Sequence, residues 1–138
     1  MVLSSQGDYA PASTERPVSI LLVDDDEYVR RAVRSILRRV GGRIVEAGTA
    51  GEALRLAGEQ PPAIAIVDVG LPDDDGYHLA ALLREQAGGA IRIIILTGQL
   101  PDEDALRAAA VDALVAKPFR LQELRETVQA QLAARTGA

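Results

Sequence analysis

Hydrophobic positions in this chain alternate between two spacings. Unbroken apolar runs, Ile20-Leu21-Leu22-Val23, Ala63-Ile64-Ala65-Ile66-Val67, Ile93-Ile94-Ile95-Leu96 and Ala113-Leu114-Val115-Ala116, are short and rich in β-branched residues. Between them apolar residues recur at helical spacing. Short β-branched runs read as strands and the intervening pattern as amphipathic helix. Strands alternating with helices predict βα units around a parallel sheet.

The pattern predicts strands over 18–23, 43–47, 63–67, 92–96 and 113–115. A helix over 27–39 places Val29, Val33, Ile36, Leu37 and Val40 on one face, and Gly41-Gly42 stops it as a C-cap does. Thr49-Ala50-Gly51-Glu52 has capping-box spacing and opens a second helix, which Pro61-Pro62 ends. Helices over 77–86, 102–109 and 121–134 complete five βα units, the fourth helix being short and alanine-rich. The third strand is apolar at every position, as expected where helices cover both faces of a sheet. Right-handed crossovers on both faces then give a three-layer α/β/α sandwich. Periodicity alone leaves the strand order open.

Each apolar run closes on a polar side chain: Asp24-Asp25 after the first strand, Asp68 after the third, Thr97 after the fourth, Lys117-Pro118 after the fifth. In an open parallel sheet these positions collect at the carboxyl edge, where ligands bind. Strands one and three must then be neighbours for their carboxylates to share an ion. Closely packed carboxylates repel, and a divalent cation keeps them ionised at neutral pH. Magnesium prefers oxygen donors and uses one or two carboxylates. Asp68, at the tip of a central strand, is placed as a nucleophile toward phosphorus, with Lys117 and the Thr97 hydroxyl able to neutralise phosphoryl oxygens. A cis Lys117-Pro118 bond would aim that lysine inward. Taken singly, Asp25 or Asp26 could be only a helix cap and Thr97-Gly98 only a turn.

Composition narrows the alternatives. At 138 residues the chain makes one domain, and the absence of cysteine excludes disulfides and thiolate chemistry. One histidine, His78, excludes a multi-histidine metal site and reads as solvent-facing. A net charge of −5 argues against nucleic-acid binding by this segment. No apolar run approaches the roughly 18 residues of a membrane span. Residues 1–17 lack a basic start and an apolar core, so they read as a disordered leader rather than a signal peptide, and a cytoplasmic location is expected.

The stretches ILLVDDDEYVRRAV, IVDVGLPDDDGYHL, IIILTG and AKPF resemble those of a response-regulator receiver domain, the phospho-acceptor module of two-component signalling. The resemblance covers 18–134 and leaves 135–138 as a short tail. It implies a flavodoxin-like fold with strand order 2-1-3-4-5. It also implies that Asp68 takes a phosphoryl group from a histidine kinase or histidine phosphotransfer protein. Mg²⁺ would be held by Asp25, Asp68 and the backbone carbonyl of Gly70, with Asp24 helping through water, and Thr97 and Lys117 would hold the phosphoryl oxygens. Such a module is not an enzyme beyond its own phosphorylation and dephosphorylation.

Three features depart from the family pattern. Leu114 stands where the family usually has Tyr or Phe, so coupling through a ring is absent or carried by packing alone. The stretch from Thr97 to Lys117 is short, and Ala109-Ala110-Val111 lacks the usual glycine, which predicts a short or distorted fourth helix. Gly70 and Gly98 put small residues beside the phosphoryl group, predicting easy entry of water and a short-lived phosphoryl state.

The arginines of helix one are either a solvated face or a border of the kinase-docking surface. Asp73-Asp74-Asp75 reads as turn and helix N-terminus charge, and Phe119 with the helix-five stripe as core, part of which could serve a homodimer. With only a short tail after helix five, the chain is expected to act by binding a protein, by relaying phosphate, or as part of something longer. Two other classes remain: a pseudo-receiver scaffold, and a Mg²⁺-dependent phosphohydrolase of the haloacid-dehalogenase type, for which the chain has no cap insertion.

Overall fold

The computed structural model describes residues 18–137. The predicted leader, residues 1–17, lies outside the described residues. Five strands, β1 (Ser19–Val23), β2 (Arg43–Ala47), β3 (Ile64–Asp68), β4 (Arg92–Thr97) and β5 (Ala113–Ala116), alternate with five helices. These are α1 (Glu27–Leu37), α2 (Ala50–Glu59), α3 (Gly76–Gln86), α4 (Glu103–Ala108) and α5 (Leu121–Gly137). The sheet is wholly parallel in the order β2-β1-β3-β4-β5, so β1 and β3 are neighbours. This is the flavodoxin-like sandwich that the resemblance implies.

Strand side chains alternate between faces, and the core divides accordingly. Leu21, Val23, Ala65, Val67, Ile93 and Ile95 face one layer, joined there by Ala53 and Ala57 of α2 and by Leu79 and Leu83 of α3. Ile20, Leu22, Ile64, Ile66, Ile94 and Leu96 face the other, against Val33 and Leu37 of α1 and Leu124 and Val128 of α5. Every residue of β3 is buried, which accounts for its unbroken apolar composition. Edge strand β5 is covered on one side only, and Leu114 is 37% exposed.

Helix ends differ from the periodicity at three places. The first helix tightens into a 3-10 turn, Arg38–Val40, before Gly41 adopts a left-handed φ of 84°. Helix α4 keeps six residues, its predicted ends Asp102 and Ala109 being caps. Just beyond it Ala110, in the stretch that lacks a glycine, sits at φ 53°. A left-handed residue with a Cβ costs roughly 1–2 kcal/mol. Helix α5 runs to Gly137, past the predicted end at Ala134, because no glycine or proline interrupts 121–136.

Candidate functional site

Four strand ends bring the chemistry to one edge of the sheet. Asp24 follows β1, and its N–H extends the ladder to the Ala47 carbonyl at 3.1 Å. Asp68 and Thr97 are the last residues of β3 and β4. Lys117 follows β5, its N–H donating to the Thr97 carbonyl at 2.7 Å, and the Lys117–Pro118 peptide is cis. Carboxylate oxygens of Asp24, Asp25 and Asp68 lie within 4.8 Å of one another. The Lys117 ammonium sits among them, 2.9 Å from Asp24 Oδ2 and 3.1 Å from Asp68 Oδ1. Asp24 is fully buried, Asp68 nearly so, and Asp25 is exposed.

This geometry sets the electrostatics. Burial, and then the charge of Asp24, push the Asp68 carboxyl above its usual range, against the opposing hydrogen bond and charge of Lys117. Burial would lower the Lys117 ammonium, but hydrogen bonds to Asp24 and Asp68 outweigh it and the net direction is upward. One ammonium thus faces three carboxylates, and the cluster is short of positive charge. Asp24 Oδ1 is taken by the Asp26 N–H at 2.9 Å. Among the described residues, Asp68 Oδ2 and both oxygens of Asp25 accept no hydrogen bond. Unfilled hard oxygen donors at a partly open site suit a small divalent cation such as Mg²⁺.

Beside Asp68 is a cavity of about 330 Å³ lined by Val69, Gly70, Thr97, Gly98, Gln99 and Lys117. A Cβ on Gly70 would lie 3.9 Å from Asp68 Oδ2, so the Gly70 backbone borders the unfilled oxygen. Thr97 lines the same cavity, but its Oγ1 donates to the Gln99 carbonyl at 3.2 Å and accepts the Gln99 N–H at 3.1 Å. Its hydroxyl is therefore engaged by its own turn. Asp26, not Asp25, caps α1, accepting the Tyr28 N–H at 2.9 Å.

Four residues around this site are engaged in ways local sequence reading missed. A Cβ on Gly76 would fall 2.2 Å from the Asp68 carbonyl oxygen, so only glycine lets α3 begin against the end of β3. A poor helix former directly after the capping Asp75 was the available signal. Arg30 donates to the Asp24 carbonyl at 2.6 Å and pairs with Glu46 at 3.2 Å, while Arg34 pairs with the same Glu46. These two arginines are inward-braced rather than a free solvated face. Asp73 caps a helix, but α2 rather than α3: its carboxylate accepts the Ala50 and Gly51 N–H groups at 2.8 and 3.0 Å. His78 is exposed and pairs with Asp74 at 2.8 Å, and Phe119 packs on the α1–α5 side of the core.

Known proteins resemble this chain in sequence and in fold. The family model described as the response regulator receiver domain matches residues 20–129. The chain is 33% identical over 116 residues to the KDP operon transcriptional regulatory protein KdpE of Escherichia coli K12, covering 83% of this chain and 51% of that protein. It is also 33% identical over 121 residues to the transcriptional regulatory protein KdpE of Mycobacterium tuberculosis H37Rv, covering 86% and 53%. The chain thus spans about half the length of the curated relatives it matches. Among solved structures, a CheY-like receiver domain protein from Methanospirillum hungatei JF-1 superposes with TM-score 0.83 at 28% identity, covering 88% of this chain and 98% of that one. A two-component response regulator of the LuxR family from Aurantimonas sp. SI85-9A1 gives TM-score 0.75 at 38% identity, covering 87% and 88%.

Proposed function

The chain belongs to the response regulator receiver domain family, and on that premise we propose that Asp68 accepts a phosphoryl group from a phosphohistidine donor in a Mg²⁺-dependent reaction. An Asp68 carboxylate oxygen attacks phosphorus, a P–O bond forms, and the P–N bond to the imidazole breaks, the freed nitrogen taking a proton. The nucleophile must be ionised, and burial opposes that. Asp25, Asp68 and the Gly70 carbonyl would hold Mg²⁺, with Asp24 acting through water. When bound, the cation supplies the positive charge that keeps the carboxylates ionised and neutralises the transferring group. Lys117 neutralises a second phosphoryl oxygen, and the Thr97 hydroxyl a third once it leaves Gln99.

The observation that carries this reading is the convergence of Lys117 with three carboxylates around an Asp68 oxygen that accepts no hydrogen bond among the described residues. The donor is a histidine kinase or phosphotransfer protein. Its helices would seat on the apolar groove beside Lys117, formed by Val29, Ala32, Pro118 and Phe119, with Tyr28 standing 78% exposed at its rim. The phosphorylated domain then alters a protein-binding surface.

Incubation with acetyl phosphate and Mg²⁺, read by intact mass, tests the proposal. A single adduct that requires the cation and is lost in Asp68→Asn is expected. Sustained turnover without an adduct would indicate a hydrolase. No reaction at all would indicate a pseudo-receiver scaffold, and either result overturns the reading.

A further inference from the structure

The loop between β3 and α3 carries Gly70, and its geometry is held from two directions. At its base the Val69 N–H donates to the Leu96 carbonyl at 3.0 Å, and the Gly76 N–H donates to the Val69 carbonyl at 2.9 Å. Gly70 and Asp75 form an isolated bridge across the loop. At its tip Asp73 reaches out of its own βα unit to α2. One oxygen takes the Ala50 N–H and the other the Gly51 N–H, so the clamp is two-pronged.

The far side of this clamp is firm. Helix α2 has ten residues and is anchored in the core by Ala50, Ala53 and Ala57. Its own N-cap, Thr49, accepts the Glu52 N–H at 3.1 Å. Asp73 therefore satisfies helix-terminal donors that the local cap leaves open. Swinging the loop away would strand the buried Ala50 N–H, and the attraction between a carboxylate and the positive end of a helix opposes the same motion.

Gly70 needs such an anchor. It is exposed and lacks a side chain, so nothing of its own fixes the direction of its carbonyl. We propose that Asp73 is a positioning residue for the cation site: by clamping the loop tip to the N-terminus of α2, it holds the Gly70 carbonyl beside Asp68. This rests on the Mg²⁺ reading above and extends it to a residue that touches neither cation nor phosphoryl group. The hydrogen bonds from Ala50 and Gly51 also hold the Asp73 carboxyl below its usual range, so the clamp stays charged through neutral pH.

The test uses the full chain and Mg²⁺ alone, with binding followed by amide chemical shifts or calorimetry and no phosphodonor present. Asp73→Ala should weaken Mg²⁺ binding about tenfold, the lower end of what losing a ligand-orienting partner costs. Asp73→Asn, whose single carbonyl oxygen can accept one of the two bonds, should recover part of the loss. Thr49→Ala weakens the same helix without touching the loop and should leave Mg²⁺ affinity unchanged. Hydrogen exchange at Ala50 and Gly51 should quicken in Asp73→Ala, and saturating Mg²⁺ should restore its maximal acetyl phosphate labelling.

Equal Mg²⁺ affinity of Asp73→Ala and the parent chain overturns the inference alone, as does an equal loss in Thr49→Ala. Absence of Mg²⁺ binding by the parent chain overturns the cation reading, and this inference with it.

Discussion

Replacing Lys117 by Met removes an ammonium from a buried pair of carboxylates while keeping the aliphatic stem. Lys117 contacts Asp24 Oδ2 at 2.9 Å and Asp68 Oδ1 at 3.1 Å, with Asp24 wholly buried and the lysine side chain 25% exposed. At an effective dielectric near 20, each unit pair at about 4 Å attracts by about 4 kcal/mol. Much of that gross attraction offsets the desolvation of the ammonium, so removing one partner of a buried pair costs about 3–5 kcal/mol net. Partial exposure of Lys117, and the ability of Asp68 to take up a proton, place the expected loss lower, at about 2–3 kcal/mol in EDTA at pH 8. Urea denaturation followed by circular dichroism measures it, the chain having no tryptophan. The deficit should shrink in Mg²⁺, because the proposed cation would neutralise the same carboxylates. At a cation concentration a hundredfold above its dissociation constant, binding stabilises by about 2.7 kcal/mol. The deficit should also shrink at pH 5, where Asp68, already shifted upward, protonates more readily without its ammonium. A deficit of about 0.5 kcal/mol or less, the size of an exposed pair, would refute the account. So would one that ignores both Mg²⁺ and pH.

Three further outcomes follow from the same structure. Because the Asp68 carboxyl is raised in the folded state, its contribution to stability is present below its unfolded pKa and lost as pH rises through the folded value. Asp68→Asn should therefore stabilise the EDTA form at pH 8 and lose that advantage toward pH 4; a destabilised variant at pH 8 contradicts the burial argument. Ala110→Gly removes a Cβ from a left-handed position and should raise stability by about 1 kcal/mol in the same denaturation assay, whereas a loss would contradict the left-handed φ. With Gly70 and Gly98 flanking the cavity at Asp68, the phosphoryl adduct should be short-lived once donor is removed, and persistence for many hours would rule this out.

Strands β1, β3 and β4 were legible because burial on both faces leaves an unbroken apolar run, a signal carried entirely by local residues. Adjacency of β1 and β3 followed from the chemistry their ends must share, but the full order did not follow from periodicity, which says nothing of pairing. The convergence of Asp24, Asp25, Asp68 and Lys117 was foreseeable because each closes a strand and a parallel sheet delivers strand ends to one edge. What escaped was contact between units distant in sequence. Asp73 looks like part of the α3 start because Asp75 is; its partners Ala50 and Gly51 belong to another βα unit. Arg30 looks like one of several surface arginines until β2 places Glu46 and β1 places the Asp24 carbonyl beside it. Gly76 looks like turn chemistry until α3 is set against the Asp68 backbone.

Leu114 raises the question of how a change at Asp68 is felt without a ring on β5, and Thr97 supplies an answer in hydrogen bonds. In the structure the Thr97 Oγ1 both donates to and accepts from the Gln99 backbone, bracing the turn that leads through exposed Leu100 to the Asp102 cap of α4. On the proposed phosphorylation of Asp68, a phosphoryl oxygen would compete for that hydroxyl. Breaking two neutral bonds costs about 1 kcal/mol each, and a bond to a charged oxygen contributes about 1.5–3 kcal/mol. Set against about 2 kcal/mol for the two lost bonds, that gain leaves the exchange near balance, as a two-state element requires. What it would release is the start of the β4–α4 connection, which leads into a six-residue α4 with no buried residue and only Ala105 and Leu106 packed, partly buried, on the core. The signature is faster hydrogen exchange at the Gln99 amide on phosphorylation, with Thr97→Val showing fast exchange already in the unmodified state. Unchanged exchange at Gln99 on phosphorylation would mean that the signal leaves Asp68 by another route, and that the hydroxyl stays with its turn.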